Sequence, residues 1–401
     1  MAPLIFDLSK VHDPSDVVHR AVEALAEGKI IAVPTETVYG VAISGLHEDA
    51  IERLYESKGR EATNPFALAL KSAEDALDYV PNMSPLGRRL ARRCWPGPLT
   101  IVFPNISPDS VVTQLPETVQ RRICGIADHE GGSLSSETLA SGTLASGTLG
   151  VRVPANQTLL NILRFSRGPI VLTSANLSGQ ADVIDAKQVV ASIGNWVDIV
   201  IDDGPCRFGQ PSTVVKIQGD RCEILREGVI ARKTLKRMAN FTALLVCTGN
   251  TCRSPMAECL MKKHLAKRLD CKVDQLPEKG VTVVSAGVAA GMGAQASRES
   301  IQVMAEQDLD LSLHESQPVN DTLIRTADLI LTMTNSHRNA IVSHWPEAAG
   351  RTHVITNGRE DVSDPIGGPS ELYQRCANQI EQHIEKWVAQ LDLNLPECLD
   401  E

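Results

Sequence analysis

The sequence predicts an α/β protein of two domains, with a mixed sheet in the first domain and a doubly wound parallel sheet in the second. The chain has 401 residues, which is more than a single hydrophobic core usually supports. In its last part, strand-like and helix-like stretches alternate, which is typical of a parallel sheet. A short basic segment, Lys233–Met238, ends the first part, so the boundary is predicted between Arg237 and Thr242.

The first domain is predicted to begin with a helix over Val17–Glu27, because its apolar residues recur with helical spacing and Gly28 follows. The apolar run Ile30–Val33 ends at Pro34, which predicts a strand. Further strands are predicted at Val102–Pro104, Gly150–Val153, Pro169–Leu172 and Ser212–Val215, and a last strand and turn at Cys222–Gly228. We expect both parallel and antiparallel pairs among these strands.

Between Asp128 and Leu149 the chain becomes rich in Gly, Ser and Thr and contains a short tandem repeat. Such a stretch cannot bury enough apolar surface to fold alone. We predict a flexible insertion at residues 128–149. A functional lid is the alternative.

The second domain alternates between strands and helices. Strands are predicted at Ala243–Val246, Val281–Val284, Asp328–Met333 and Thr352–Ile355, and helices over Ser297–Gln307 and Ser370–Leu391. In a sheet of this kind the active site lies at the carboxyl ends of the strands. We therefore expect the catalytic loop of this domain to follow its first strand.

The composition argues against several classes of protein. Hydrophobic residues make up 43% and charged residues 22% of the chain, which is ordinary for a globular protein. The net charge of -10 argues against a general electrostatic attraction to nucleic acid. The sequence has no apolar run long enough to span a membrane, and its N-terminus lacks the basic start of a signal peptide. Its ten cysteines do not have the spacing of a disulfide framework or of a metal site. We expect a cytoplasmic protein with reduced thiols, no metal site and no tightly bound cofactor.

The strongest chemical signal is a loop between a buried strand and a helix N-terminus. It consists of Cys247, Thr248, Gly249, Asn250, Thr251, Cys252, Arg253 and Ser254. Backbone N–H groups and the helix dipole can surround one phosphate in such a loop, and the arginine can bind two phosphate oxygens. The same field favours a thiolate. We predict a phosphate-binding loop with Cys247 as the nucleophile, against the alternative of a buried strand-end cysteine.

Three polar clusters in the first domain lie close to predicted strands. They are Pro34–Gly40, Lys58–Arg60 with Asn64, and Leu172–Gly179. Each cluster alone is compatible with a turn or a helix cap. Together they supply two cations and several short polar side chains, which suits a nucleotide and its phosphates.

These clusters, with Trp95–Thr100, Val151–Pro154 and Pro211–Thr213, occur in the order found in the YrdC-like threonylcarbamoyl-AMP synthases, which the first domain resembles. The resemblance implies a domain at residues 10–235 with a twisted α/β fold and a large, positively lined cavity. It also implies a reaction that joins L-threonine, bicarbonate and ATP, with Mg²⁺ on the triphosphate, into threonylcarbamoyl-AMP and pyrophosphate. The product would serve the machinery that transfers the threonylcarbamoyl group to tRNA.

The resemblance also implies roles for the matching residues. Lys58 and Arg60 would hold the ATP phosphates and stabilise the leaving pyrophosphate. Thr35 would contact threonine. The remaining substrate-binding or nucleotide-binding positions would be Asn64, Thr100, Arg152, Ser174, Asn176, Ser212 and Arg226. No side chain resembles a covalent nucleophile, so catalysis would consist of positioning and charge neutralisation.

The Cys247 loop, Ser285–Gly287, Leu329–Met333 and Asp364–Pro365 resemble the low-molecular-weight protein tyrosine phosphatases. The resemblance implies a phosphatase domain at residues 242–395 that acts on a phosphoprotein. Cys247 would attack phosphorus, and Asp364 would protonate the leaving group and then activate water.

The same resemblance gives roles to the neighbours of these two residues. Arg253 would clamp the phosphate, Ser254 would help the thiolate leave, and Asn250 would brace the loop. Asp361 is the alternative acid. Under oxidation, Cys252 would be placed to form a protective disulfide with the nucleophile, or it is an inert packed thiol.

Thr251 and Ile366 bear on the choice of substrate. Tyrosine-specific members tend to have an apolar residue in place of Thr251 and aromatic residues around Ile366. The loop as a whole resembles that of the protein arginine phosphatases. A β-branched residue is a poorer wall for a phenol ring, so the resemblance favours phosphoarginine over phosphotyrosine.

Two functions of a different class stay open at this point. The first domain could bind RNA or a nucleotide without catalysis, since related folds are thought to bind double-stranded RNA. The second domain could be an arsenate reductase, which shares this fold and loop but needs further cysteines to relay a disulfide. Cys259 and Cys271 do not lie in the late segment expected for that relay.

Overall fold

The computed structural model describes residues 2–58, 65–126, 147–177 and 179–396. The chain divides into two compact units, one that ends at Leu235 and one that covers Lys236–Pro396. Each unit has its own sheet, and both belong to the predicted α/β class.

The first unit is built on a ten-stranded sheet. Its strands are β1 (Leu4–Asp7), β2 (Ile31–Val33), β3 (Gly40–Ser44), β4 (Ala67–Ala69), β5 (Leu99–Pro104), β6 (Thr148–Arg152), β7 (Ile170–Ser174), β8 (Ile199–Asp202), β9 (Thr213–Gln218) and β10 (Arg221–Arg226). They lie in the order β1-β8-β2-β3-β7-β4-β6-β5-β9-β10. Parallel pairs such as β2 with β8 and antiparallel pairs such as β3 with β7 both occur, which confirms the mixed sheet.

Helices flank the strands in the sequence. They are α1 (Pro14–Ala26), α2 (Glu48–Lys58), α3 (Ala76–Tyr79), α4 (Pro85–Cys94), α5 (Glu117–Cys124), α6 (Gln157–Phe165), α7 (Ala186–Ile193) and α8 (Arg232–Ala239). In α1, Asp13 caps the N-terminus by accepting from the Ser15 N–H, and Gly28 follows with φ +75°. The helix therefore starts earlier than the predicted Val17.

The turn between β2 and β3 lies beside the end of β7. Gly40, the first residue of β3, pairs with Ser174, the last residue of β7. The backbone N–H of Ala175 donates to the carbonyl of Tyr39 at 2.8 Å. Two of the predicted polar clusters, Pro34–Gly40 and Leu172–Gly179, are thereby neighbours in the fold.

The second unit has a four-stranded parallel sheet in the order β12-β11-β13-β14. Its strands are β11 (Phe241–Cys247), β12 (Val281–Gly287), β13 (Leu329–Thr332) and β14 (Thr352–Val354). Its helices are α9 (Arg253–Arg268), α10 (Arg298–Ala305), α11 (Asp321–Thr326), α12 (Asn335–His344) and α13 (Ser370–Gln390). This architecture confirms the predicted doubly wound sheet.

Strand β11 is buried on both faces. Ala243 and Leu245 belong to the core that includes α9 and α13, whereas Leu244 and Val246 belong to the core that includes Ile341 of α12. The alternation follows from the pleat of the strand. Because β12 lies on one side of β11 and β13 on the other, the carboxyl end of β11 is the point where ligands usually bind in such sheets.

Several elements differ from those predicted. The basic segment Lys233–Met238 lies within helix α8, and β1, β3, β4 and β8 were not predicted. Across the part of the chain that the structure describes, no helix combines the length and the apolar character needed to cross a membrane.

Candidate active sites

The phosphate loop of the second unit begins with Cys247 at the carboxyl end of β11 and leads into α9. Cys247 is 2% exposed. Its Sγ lies 3.0 Å from Ser254 Oγ, and the backbone N–H of Asn250 donates to it at 3.3 Å. The loop thus surrounds one buried sulfur with a hydroxyl and an amide.

Asn250 holds the loop in shape. Its φ of +56° lies in the left-handed region, which Asn tolerates better than most residues. Its Nδ2 donates to the hydroxyls of Ser254 and Ser285, both at 2.9 Å. Its Oδ1 accepts from the Gln317 N–H at 2.9 Å, and its carbonyl lies 2.8 Å from His314 Nε2. This bonding fits the predicted bracing role.

Gly287, the last residue of β12, allows the loop to approach the sheet closely. A Cβ at this position would lie 2.4 Å from the Thr248 carbonyl oxygen and 2.9 Å from the Asn250 nitrogen. Since both contacts are with backbone, a side chain here would displace the loop.

Arg253 and Asp364 lie together beside the loop. Arg253 is 5% exposed, and its Nη2 donates to Asp364 Oδ2 at 2.5 Å. The same nitrogen donates to Thr248 Oγ1 at 3.2 Å, and Nη1 donates to the Val362 carbonyl at 3.2 Å. The structure therefore brings the predicted clamp and the predicted acid to the same place. Asp364 is 40% exposed in its side chain and accessible to a ligand.

Asp361, the alternative acid, has a different partner. Its Oδ1 accepts from the backbone N–H and the Nδ2 of Asn335, at 2.8 and 3.0 Å. The carboxylate thus lies at the N-terminus of α12, where the helix dipole favours negative charge. This placement favours Asp364 as the acid.

Cys252 and Thr251 contact residues outside the loop, on helix α13 and before helix α10. Cys252 is buried, and its Sγ lies 3.7 Å from Tyr373 Oη and 3.7 Å from Thr251 Oγ1. The Thr251 carbonyl accepts from the Ser297 N–H at 2.8 Å. Ile366, on the loop that carries Asp364, is 68% exposed.

In the first unit, Lys58 lies against the end of β7. Its Nζ donates to the Ser174 carbonyl at 2.6 Å and to Thr173 Oγ1 at 3.4 Å. The Ser174 hydroxyl donates to Asn176 Oδ1 at 2.5 Å. The structure therefore brings together one predicted cation and two predicted oxygen-binding side chains.

Thr35 lies in the buried turn between β2 and β3. Its Oγ1 donates to the Val38 carbonyl at 2.6 Å and accepts from the Val38 N–H at 3.2 Å. It also lies 2.8 Å from Thr37 Oγ1. These contacts fix the turn, and they hold the Thr35 hydroxyl in one orientation.

Arg152 is engaged within the protein. Its guanidinium forms a buried ion pair with Glu36 at 2.7 Å and donates to Thr37 Oγ1 at 2.9 Å. The second carboxylate oxygen of Glu36 accepts from the Ala155 N–H at 2.9 Å. The predicted nucleotide contact of Arg152 would thus require the loss or sharing of these bonds, whereas a role in holding the Thr35 turn needs no change.

Thr100, Ser212 and Arg226 form a third group in the first unit. Thr100 Oγ1 lies 3.0 Å from Ser212 Oγ, and Arg226 Nη2 donates to the Ser212 carbonyl and hydroxyl at 3.0 and 3.3 Å. Partial desolvation lowers the pKa of Arg226, nearby Arg152 lowers it further, and Asp182 counteracts both. Because Arg152 is already paired with Glu36, Arg226 is the better placed of the two guanidiniums to bind a negatively charged ligand.

Some predicted positions lie outside the described residues. They are Arg60, Asn64 and most of the predicted insertion at residues 128–149. The cavity of about 300 Å³ that is lined by Phe103, Leu149 and Ile217 lies at the other end of β5, β6 and β9 from Thr100, Arg152 and Ser212. It is therefore separate from the predicted site.

Comparison with known proteins assigns each half of the chain. A family model described as telomere recombination, that of the Sua5/YciO/YrdC proteins, matches residues 23–228. A second, described as low molecular weight phosphotyrosine protein phosphatase, matches residues 242–396. The protein-arginine-phosphatase of Geobacillus stearothermophilus is 36% identical over 157 residues, which cover 38% of this chain and 96% of that protein. The chain belongs to both families.

Two synthase relatives of the YrdC-like half are much longer than the stretch that they share with this chain. The threonylcarbamoyl-AMP synthase of Pyrococcus abyssi is 32% identical over 214 residues, which cover 53% of this chain and 54% of that protein. The chain thus spans about half the length of the curated synthases that it matches first. A crystal structure of Pyrococcus abyssi Sua5 complexed with L-threonine aligns with 20% identity and a TM-score of 0.48, over 71% of this chain and 92% of that one.

The phosphatase half contains a late thiol that the sequence analysis overlooked. Cys376 on α13 lies 3.7 Å from the Ser363 carbonyl. Burial raises the pKa of its thiol to about 12, and burial raises that of Cys259 to about 11. Thiols with such pKa values are weak nucleophiles near neutral pH. They give no support to the disulfide relay that an arsenate reductase requires.

Sequence reasoning also missed the side chains that hold the predicted ones in place. Glu36 lies inside the YrdC-like motif Pro34–Gly40, and it is the only acidic residue there. An acidic side chain among neutral ones could have indicated an ion pair with a distant cation. His337 contacts Thr248 from 89 residues away, and no local pattern indicates such a contact.

Proposed function

We propose that the chain is a bifunctional enzyme whose first unit forms threonylcarbamoyl-AMP and pyrophosphate from L-threonine, bicarbonate and ATP. The observation that carries this proposal is the grouping of Lys58, Ser174 and Asn176 at the end of β7, next to the turn that holds Thr35. A cation, hydroxyls and an amide at one strand end suit a triphosphate and an acyl phosphate.

In the proposed reaction Lys58 neutralises the phosphates and stabilises the charge that develops on pyrophosphate. Arg60 has the same role, and Thr35 contacts threonine. ATP brings Mg²⁺ as part of the substrate. Ser174 and Asn176 offer hydroxyl and amide oxygens, which suit an ion that keeps most of its bonds to phosphate and water.

The test of this half is Lys58→Ala. Loss of a charge-assisted phosphate contact is expected to cost on the order of 2–4 kcal/mol in the transition state. The measurement is pyrophosphate release that depends on both threonine and bicarbonate. Lys29→Ala is the matched control, because Lys29 is half-exposed and pairs with Glu27 on the surface. Equal rates for both variants would exclude the assignment.

We further propose that the second unit is a cysteine phosphatase. Cys247 Sγ forms a bond to phosphorus as the bond from phosphorus to the leaving nitrogen or oxygen breaks. Asp364 gives its proton to that leaving group, then takes a proton from the water that releases inorganic phosphate. Arg253 binds the phosphate throughout. Its present contact with Asp364 must loosen when a phosphate enters.

Phosphoarginine on a protein is the proposed substrate. Thr251 contributes a hydroxyl to the phosphate loop. The exposed Ile366 offers a substrate side chain a smaller contact surface than an aromatic ring would. We predict that Thr251→Ile lowers kcat/KM for phosphoarginine peptides relative to phosphotyrosine peptides. If the wild type already prefers phosphotyrosine and the variant changes nothing, phosphotyrosine is the substrate.

The wider setting is also a proposal. Threonylcarbamoyl-AMP would be consumed by the enzymes that transfer the threonylcarbamoyl group to tRNA. A cytoplasmic location and the domain bounds 10–235 and 242–395 stay predictions.

A further inference from the structure

The first turn of α12 contacts the phosphate loop through a buried histidine. His337 is 6% exposed. Its Nδ1 lies 2.9 Å from the hydroxyl of Thr334, the residue that caps the helix, and its Nε2 lies 2.9 Å from Thr248 Oγ1. Both ring nitrogens therefore have partners, which fixes the plane and the position of the ring.

This contact extends to the phosphate clamp. Thr248 Oγ1, which His337 holds, also accepts from Arg253 Nη2 at 3.2 Å. The Thr248 side chain is otherwise on an exposed part of the loop. Without the imidazole, the Thr248 hydroxyl would keep its contact with Arg253 but lose the partner that orients it, so the guanidinium would lose a fixed acceptor.

The same turn of α12 also holds the acid loop. The backbone N–H and the side-chain amide of Asn335 both donate to Asp361 Oδ1. Asp361 lies three residues before Asp364 on the same loop. A shift of Asp361 would therefore move the loop that carries the proposed acid.

The charge state of His337, in the first turn of α12, is compatible with phosphate binding. Burial lowers the pKa of His337 to about 4, and Arg253 lowers it too, whereas Asp361 and Asp364 raise it. The imidazole is thus neutral near pH 7. It orients Thr248 by hydrogen bonding and adds no second cation next to Arg253.

We propose that the first turn of α12 is a bracket that holds the nucleophile loop and the acid loop in register, with His337 and Asp361 as its positioning residues. The inference rests on the proposed phosphatase activity. Its two arms act on different events: His337 positions the groups that bind and attack the phosphoryl group, and Asp361 positions the group that protonates the leaving group.

Variants of the two arms should differ in how their kcat/KM depends on the leaving group of the substrate. Nitrophenyl phosphate needs little protonation of its leaving group, whereas phenyl phosphate needs much more. His337→Ala and Thr248→Val should lower kcat/KM about tenfold on both substrates alike. Asp361→Ala should lower kcat/KM at least fivefold more on phenyl phosphate than on nitrophenyl phosphate. These are order-of-magnitude expectations for the loss of an orienting hydrogen bond.

The full-length chain is used, and Asn339→Ala is the control, because Asn339 is an exposed residue on the same helix. His337→Gln should recover activity to within about threefold of the wild type, since an amide can still hydrogen-bond Thr248. Thr248→Val removes one hydroxyl at an exposed position, so it tests the first arm even if His337→Ala fails to fold.

The results separate the two levels of the proposal. Equal loss on both substrates for Asp361→Ala, or full activity for Thr248→Val, overturns the bracket. A wild-type chain that hydrolyses neither these two substrates nor a phosphoarginine peptide, or a Cys247→Ser variant that still hydrolyses them, overturns the phosphatase itself. The bracket is supported if Asp361→Ala loses more kcat/KM on phenyl phosphate than on nitrophenyl phosphate while Thr248→Val loses kcat/KM equally on both.

Discussion

Glu36→Gln should destabilise the first unit strongly. Both side chains of the Glu36–Arg152 pair are less than a tenth exposed, at 7% and 9%. Removing one partner of a buried pair leaves the other charge uncompensated, which costs about 3–5 kcal/mol. The glutamine oxygen can still accept from the Ala155 N–H, so we take the lower end, about 3 kcal/mol. That is a large share of the roughly 5–15 kcal/mol that holds a domain folded.

Native-state hydrogen exchange measures this loss within the full chain. Amides of β6 and β7 should exchange on the order of 10²-fold faster in Glu36→Gln, since about 1.4 kcal/mol corresponds to a factor of ten. The double variant Glu36→Leu with Arg152→Met removes both charges. It should be less destabilised than Glu36→Gln, because no unpaired charge remains. A cost below about 1 kcal/mol for Glu36→Gln, or a double variant that is worse than the single one, would refute the reasoning.

Three further predictions concern the second unit and the division of the chain. Asp364→Ala should leave phosphate binding intact and slow turnover by about 10²–10⁴-fold for poor leaving groups. The measurement is kcat on phenyl phosphate and on nitrophenyl phosphate. An equal loss of kcat on both substrates would exclude Asp364 as the acid. Because the pKa of His337 falls from 6.5 to about 4, the unfolded state binds more protons below pH 6.5, and the second unit should lose roughly 3 kcal/mol of stability as the pH drops from 6.5 to 4. Hydrogen exchange of β11 in the wild type and in His337→Gln measures this, and an equal acid response in both would contradict it. Fragments 1–238 and 240–401 should each keep one activity; two inactive fragments from an active chain would contradict the division.

The sequence predicted best those elements whose pattern is local. Strand β11 and the Cys247 loop follow from an apolar run and a helix start, and both are present in the structure. Strand β4, Ala67–Ala69, is only three residues long and lacks β-branched side chains, so no periodicity announces it. Helix α8 was missed because it is only eight residues long and four of them are basic, which leaves few apolar residues to define a period.

The candidate sites were predicted in part for the same reason. Lys58, Ser174 and Thr35 lie in motifs that can be recognised along the chain, and the fold brings these motifs together. Their supporting contacts join distant segments, as when Glu36 pairs with Arg152 across 116 residues. A single sequence contains no information on such pairs until the sheet order is known.

The central claim is that one chain contains two independent active sites. The direct measurement is to assay one preparation of the wild type, Lys58→Ala and Cys247→Ser for threonine-dependent pyrophosphate release and for phosphatase turnover. We predict that Lys58→Ala loses only pyrophosphate release and that Cys247→Ser loses only phosphatase turnover. Loss of both activities in either variant, or retention of the matching activity, would contradict the account.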